Sequence, residues 1–133
     1  MSHETIKNQQ PLILTTGVYD LVKDHLRRKK VSSAEEEVLR HQLKTAMQVP
    51  RKHLPTSVVS VDTRVTIKNH HSNQNETFVF VAPHRAKKKN QTESILSPMG
   101  LALVGCKEGD TITWDFNGEP QQIEILNVER LSS

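Results

Sequence analysis

Residue types that can carry out chemistry are few in this sequence and lie far apart. Cys106 is the only cysteine, and the seven histidines include no pair placed with cysteines at zinc-site spacing. No Ser/His/Asp order can be assigned to one surface, and Cys106 has no assigned base. The neighbours His70 and His71 are simply explained by a polar turn. The sequence therefore predicts a protein that is not an enzyme and uses no metal ion, cofactor or small-molecule substrate.

The most closely spaced acidic residues are Glu35, Glu36 and Glu37. Residues 33–36 fit the capping-box pattern, in which the hydroxyl of Ser33 accepts from a first-turn amide and Glu36 reaches back. Carboxylates in this place also complement the positive end of a helix. The spacing favours a structural role for these acids at the start of a helix.

Length and charge limit the class of protein. At 133 residues the chain suits one compact domain with a small accessory element, and a large enzyme is excluded. The net charge of +3 is too mild for a dedicated nucleic-acid binder unless the cations cluster. Residues 27–30 and 84–89 are two such basic runs. Each is predicted to be a solvated face or loop, and the alternative is an RNA or DNA site.

The sequence also indicates a compartment. A single cysteine permits no internal disulfide, so a reducing environment is the simplest setting. The apolar run at residues 12–14 is far too short for a signal sequence or a membrane span. We therefore expect a cytoplasmic protein without a membrane partner.

Two amphipathic helices are predicted within residues 1–50. The first has apolar residues at helical spacing, namely Val18, Leu21, Val22 and Leu26. The second begins at Ser33 and ends at Pro50, and its apolar face consists of Leu39, Leu43, Ala46 and Met47. Only a few residues join the helices, which predicts an antiparallel hairpin. Arms of roughly 14 residues at about 1.5 Å per residue would reach only about 20 Å, so the hairpin is a coiled-coil stub.

A change of periodicity predicts a second domain. After a basic, proline-bounded linker at residues 51–57, the apolar residues alternate with a period of two, which indicates β-strands over residues 58–133. Asn117-Gly118 is a strong hairpin signal. The last strand changes phase at Leu126, which suggests a bulge or burial on both faces. The predicted fold class is α+β, with a helical hairpin followed by a β domain.

One short helix interrupts the predicted strands. A strand at residues 94–96 precedes Ser97-Pro98, which supplies an N-cap residue and a proline at the first helical position. Gly105 suits the left-handed turn that closes a helix. By local chemistry alone, Ser97 and Pro98 start a helix and Met99 packs inside.

Residues 97–110 also carry a family resemblance. They read Ser-Pro-Met-Gly-Leu-Ala-Leu-Val-Gly-Cys-Lys-Glu-Gly-Asp, and a hairpin and a closing Ile-Glu-Ile-Leu strand follow. Together with the strand end at residues 81–83, this run resembles the C-terminal domain of the GreA/GreB transcript cleavage factors from Val58 to Arg130. The short hairpin and the entry at residues 54–65 look like the regulator of nucleoside diphosphate kinase family.

The resemblance implies a fold, a partner and a contact site. It implies an FKBP-like antiparallel sheet that attaches to a coiled coil at the rim of the secondary channel of bacterial RNA polymerase, with nucleic acid contacted only indirectly. Polymerase would be contacted by Leu96, Ser97, Pro98 and Met99. Leu96 replaces an acidic residue common in the cleavage factors, and residues 84–87 are basic where those factors often carry acids.

The resemblance also raises the question of RNA cleavage. Cleavage factors use acids at the hairpin tip to help hold a metal ion, and here the tip offers Glu35, Glu36 and Glu37. The Asp-x-x-Glu arrangement of those factors is absent, and the arms look too short to reach the catalytic metal. We therefore expect a regulator that competes with longer Gre-type factors without stimulating cleavage. The alternatives are a short cleavage factor that uses Glu35 and Glu36, and a nucleic-acid-binding module that uses the basic runs.

Overall fold

The N-terminal part of the fold is a pair of helices between two short strands. The computed structural model describes residues 11–116 and 118–131. The elements are β1 (Ile13–Thr15), α1 (Thr16–Arg27), α2 (Ser33–Thr45) and β2 (Met47–Val49). Strands β1 and β2 pair in parallel, which brings the start of α1 and the end of α2 to the same place. The predicted apolar face of α1 is confirmed, because Val18, Val22 and Leu26 are buried.

Helix α2 differs from its prediction at both ends. Its N-cap is Ser32 rather than Ser33, and the capping box is completed by Glu35 rather than Glu36. The helix ends at Thr45, well before Pro50, because the amide of Met47 donates to the carbonyl of Leu12 at 2.7 Å and draws the chain into β2. Met47 is therefore 56% exposed instead of lying on the apolar face.

A five-stranded sheet forms the rest of the fold. Its strands are β3 (Thr63–Asn69), β4 (Gln74–Val81), β5 (Thr92–Ser94), β6 (Thr111–Phe116) and β7 (Glu119–Arg130), in the order β5-β4-β3-β7-β6. All neighbours are antiparallel except β4 and β5. The expected sheet was wholly antiparallel. The difference arises because the loop at residues 82–91 carries the chain back along the sheet before β5 begins.

The hairpin of β6 and β7 positions the apolar residues of the C-terminal half. Ile112 and Trp114 are buried on the face predicted for them, and Phe116 is half-buried beside them. Phe116 pairs with Glu119, while Asn117 of the predicted Asn-Gly turn lies outside the described residues. The predicted bulge is confirmed, because the partner on β7 changes from Asn127 to Ile125 between Thr66 and Ile67.

Helix α3 (Pro98–Leu103) lies directly against the segment that precedes it. An ideal Cβ built on Gly100 would lie 2.8 Å from the carbonyl oxygen of Ser94 and still closer to that of Ile95. The helix ends at Leu103, and Gly105 makes the predicted left-handed turn just beyond its cap, with a φ of 84° that is accessible to glycine at little cost. The glycine at the fourth position of the Ser-Pro-Met-Gly motif is therefore required by backbone packing.

One hydrophobic cluster connects the helices and the sheet. It contains Leu14, Val22 and Leu39 from the N-terminal part together with Phe80 and Trp114 from the sheet.

The predicted division into residues 1–50, 51–57 and 58–133 stays a prediction. Within residues 11–116 and 118–131, no helix is long and apolar enough to cross a membrane.

The close packing of Gly100 gives a stability prediction. Gly100→Ala should lower the free energy of unfolding by about 3 kcal/mol or more, because the new methyl group meets rigid carbonyl groups. Gly17→Ala is the matched control, since nothing lies within 4 Å of its Cβ position. It should leave stability unchanged or raise it slightly through helix propensity. Urea unfolding followed by circular dichroism measures both, and equal stability of the two variants would contradict the packing role of Gly100.

Candidate docking site

Local hydrogen bonds fix the segment that leads into α3. The amide of Leu96 donates to the hydroxyl of Ser94 at 3.0 Å, and the amide of Ser97 donates to the carbonyl of Ser94 at 2.9 Å. The hydroxyl of Ser97 accepts from the amide of Gly100 at 3.1 Å, which makes Ser97 the N-cap that the sequence predicts. The turn before Pro98 is therefore set by backbone and hydroxyl contacts within the segment itself.

The four residues predicted to contact a partner differ in exposure. Pro98 is exposed, while Leu96, Ser97 and Met99 are half-buried. The side chains of Leu96 and Met99 pack against the hydrophobic core with part of their surface. The rigid ring of Pro98 is thus presented to solvent by residues on both sides that are held by the core.

A cleft brings the start of α3 next to the tip of the helix pair. Its volume is about 450 Å³, and its lining residues are Ser32, Ala34, Glu35, Pro98, Asp115, Phe116 and Gly118. These residues come from the start of α2, the start of α3 and the turn between β6 and β7. The residues that the sequence predicts for docking and one of the tip acids therefore share one surface.

The three tip acids have different surroundings. Glu35 closes the capping box, since its carboxylate accepts from the amide of Ser32 at 3.1 Å. Glu36 binds Arg40 at 2.8 Å and Lys29 at 3.1 Å, and these hydrogen bonds, with that of Arg40 the stronger influence, lower the pKa of the Glu36 carboxyl below its ordinary value. Glu37 is exposed. Two of the three carboxylates are thus engaged in holding the start of α2.

The described residues contain no evident metal centre. No group of three or more His, Cys, Asp or Glu side chains that could hold a metal ion occurs in residues 11–116 and 118–131. The tip acids therefore do not form part of such a group of three in this part of the chain. What the cleft does offer is two carboxylates, Glu35 and Asp115, beside the apolar rings of Pro98 and Phe116.

Sequence comparison assigns the chain to a family. Residues 54–130 match the family described as "Transcription elongation factor, GreA/GreB, C-term". This match covers more than half of the chain, and the chain belongs to the GreA/GreB family. The resemblance that the motif at residues 97–110 predicts is confirmed.

Individual relatives refine this assignment. The regulator of nucleoside diphosphate kinase of Escherichia coli (strain K12) is 28% identical over 94 residues, which cover 70% of this chain and 69% of that protein. The transcription elongation factor GreA of Clostridium beijerinckii is 32% identical over 92 residues, which cover 69% of this chain but only 58% of that factor. The likeness to the regulator of nucleoside diphosphate kinase agrees with the prediction from the short helix pair.

A solved structure shows the shared fold. The prokaryotic transcription elongation factor GreA/GreB from Nitrosomonas europaea superposes with a TM-score of 0.66. The superposition covers 91% of this chain and 99% of that one at 23% sequence identity. The mixed α+β fold of this chain is thus a GreA/GreB-like fold that includes its N-terminal part.

Sequence reasoning did not identify Asp115 and Phe116 as neighbours of Pro98. Both lie at the end of β6, and they come close to Pro98 only because the sheet and α3 share one core. The Asn-Gly turn signal located the end of the strand. No local signal could have indicated which other segment that turn would face.

The corrected capping box can be tested by two neighbouring serines. Ser32→Ala should lower the free energy of unfolding by about 1 kcal/mol, because it removes the hydroxyl that accepts from the amide of Glu35 at 3.2 Å. Ser33→Ala makes the same chemical change one residue later and should cost much less. Chemical unfolding of both variants is the measurement. The register of α2 would be wrong if Ser33→Ala were the more damaging change.

Proposed function

We propose that this chain is a regulator of transcription that binds bacterial RNA polymerase at the rim of the secondary channel. The contact is made by Leu96, Ser97, Pro98 and Met99, and the protein acts by occupying the channel entrance in competition with longer Gre-type factors. It does not stimulate RNA cleavage, it is not an enzyme, and it meets nucleic acid only indirectly in that complex. The observation that carries the proposal is the exposed Pro98 held at a fixed helix start in a GreA/GreB-like fold.

The physical character of the contact supports docking. A proline ring cannot rotate freely, and its neighbours Ser97 and Leu96 are already held by hydrogen bonds. Binding therefore orders few additional bonds, which lowers the entropic cost of association. The half-buried thioether of Met99 adds an adaptable apolar surface beside the ring.

The position of the helix tip supports occupancy without catalysis. Helices of 12 and 13 residues at about 1.5 Å per residue extend only about 20 Å. Moreover, Glu35 lines the same cleft as Pro98. A partner bound at Pro98 therefore also lies next to the tip of the helix pair. Carboxylates that lie next to the docking contact remain at the rim of a channel and do not extend far into it.

The fold has the same two-part organisation as the longer factors in this proposal. The helix pair is the counterpart of the coiled-coil hairpin of longer factors, reduced to an antiparallel stub, and the sheet is of the FKBP-like type. Residues 1–50 and 58–133 then act as two functional parts joined by residues 51–57, in a cytoplasmic protein. The shared hydrophobic cluster keeps the two parts in a fixed relation.

Loss of the proline ring tests the docking site. The protein should co-purify with RNA polymerase, and Pro98→Asn should lose this association, because asparagine removes the rigid apolar contact while Ser97 still caps α3. Pro55→Asn is the matched control, since Pro55 is also exposed but does not line the cleft. Pull-down with purified polymerase is the measurement, and unchanged binding by Pro98→Asn would refute the assigned contact.

A cleavage assay separates the proposal from its rival, a short cleavage factor that uses Glu35 and Glu36. Added to backtracked elongation complexes, the protein should release no RNA fragment. Added together with GreA, it should slow GreA-stimulated cleavage, and Pro98→Asn should relieve this inhibition. Cleavage by the protein alone that Glu36→Ala abolishes would establish the rival instead.

A further inference from the structure

The two basic runs of the chain have different electrostatic surroundings. In the first run, Arg27 and Arg28 both bind the carboxylate of Asp24, Arg28 at 2.9 Å, and Lys29 binds Glu36 at 3.1 Å. Three of the four cations in residues 27–30 are thus paired within the helix pair. This run is therefore the solvated face that the sequence predicts, with its own counter-charges.

The second run keeps most of its charge. Lys87, Lys88 and Lys89 are exposed. Among the described residues, none of them has a carboxylate oxygen within 4.0 Å, and only Arg85 of this run is paired, with Asp62 at 3.1 Å. The nearest acid along the chain, Glu93 on β5, is half-buried. This loop therefore presents a positive charge that the protein does not neutralise.

Asp62 joins this loop to the basic linker. Its carboxylate binds Arg85 at 3.1 Å through one oxygen and Arg51 at 3.5 Å through the other. Its backbone is fixed as well, because its amide donates to Phe80 at 2.7 Å and its carbonyl accepts from Leu131 at 2.9 Å. The largely buried carboxylate of Asp62 thus holds two guanidinium groups from distant segments next to each other.

We call this combined area the basic surface. It consists of Arg51, Lys52, Arg85, Lys87, Lys88 and Lys89, with His53 and His84 alongside. Both arginine side chains remain more than half exposed, so each retains donors for a ligand. The acids beside it are Asp62, which is shared by two arginines, and, next along the chain, the half-buried Glu93. The cations clearly outnumber these acids.

The lysines of the basic surface stand on an ordered loop. The hydroxyl of Thr92 accepts from the amide of Lys87 at 2.9 Å, and the amide of Thr92 donates to the carbonyl of Lys87 at 3.3 Å. Two 3₁₀ turns, Pro83–Arg85 and Lys88–Asn90, shape the loop. Because the backbone is already closed on itself, a ligand needs to order only the lysine side chains.

The chemistry of the surface fits phosphate better than other anions. Guanidinium forks bind phosphate oxygens in pairs, and a row of lysines follows a line of regularly spaced charges. Recognition of unpaired bases needs exposed aromatic rings, and the exposed large hydrophobic residues of the described chain are only Met47 and Leu126. The contacts available are therefore to the backbone of a nucleic acid and carry no sequence information.

We propose that the basic surface binds the phosphate backbone of duplex nucleic acid without reading its sequence. This contact is separate from polymerase docking. The cleft is bordered by Asp115 and Phe116 on β6, at one edge of the sheet, whereas the basic loop leads into β5 at the other edge. The cleft and the basic surface share no residue, and the contact requires no polymerase.

Fluorescence anisotropy with a labelled 20-base-pair DNA duplex of arbitrary sequence tests this contact over a range of KCl concentrations. The affinity should fall linearly with salt on logarithmic axes, with a slope of about −0.9 for each phosphate contacted. Replacing Lys87, Lys88 and Lys89 by Gln should weaken binding about tenfold or more at low salt and reduce the slope by about 3. Pro98→Asn should bind the duplex normally, which separates this result from the fate of polymerase docking.

A variant with Arg27, Arg28 and Lys29 replaced by Gln is the matched control. It removes the same number of positive charges from the other basic run, so it should change affinity and slope much less. Equal weakening by the two triple variants would mean that only net charge matters, and no binding at low salt would refute the site. Displacement of the duplex by polyglutamate as readily as by unlabelled duplex, at equal charge concentration, would assign the surface to an acidic protein instead.

Discussion

The contact between β1 and Gly105 determines where the helix pair lies on the sheet. Gly105 accepts a hydrogen bond from the amide of Ile13 at 3.1 Å and donates one to the carbonyl of Val59 at 3.0 Å. A Cβ on Gly105 would lie 2.7 Å from that of Leu12, so only glycine leaves room for this approach. The glycine of the turn that follows α3 is therefore also the residue against which the N-terminal part packs. The shared core, and the placement of the helix tip beside Pro98, both depend on this contact.

Several short motifs serve the fold and the proposed docking site together. Ser97 caps α3, and the same hydrogen bond holds Pro98 in its exposed position. Gly100 permits the helix to lie on the carbonyl groups of residues 94–95, which fixes the distance between the start of the helix and this segment. Glu35 completes the capping box of α2 and lines the cleft. The core already holds α3. Because Pro98 lies in the capping motif that starts this helix, no further element is needed to position it for binding.

Charge in this protein has to be judged from its surroundings and not from its sequence density. Residues 27–30 and 84–89 look alike as basic runs, yet helix geometry places Asp24 three and four residues before Arg27 and Arg28, where opposite charges meet on one helix face. The loop at residues 83–91 has no such periodic acid. Its one ion pair is with Asp62, which precedes β3 beside the end of β4 and is shared with the linker. The two runs are therefore alike in composition but differ in how much of their charge neighbouring carboxylates neutralise.

The sequence by itself determined the features that are local. Spacing along the chain predicted α1, the cap at Ser97, the glycine turn at Gly105 after α3, the bulge near Leu126 and the family, because each depends on residues a few positions apart or on a contiguous motif. It failed at the register of α2, where the N-cap is Ser32 and not the adjacent Ser33. It also failed at the end of that helix, where a hydrogen bond to Leu12 stops the helix before the proline does. Only the tertiary structure decided that the helix tip meets Pro98, that β5 runs parallel to β4, and that Asp62 gathers two basic segments. Those arrangements depend on contacts between segments far apart in sequence. Burial in a shared core stabilises such contacts, and a local sequence pattern does not show which segments share that core.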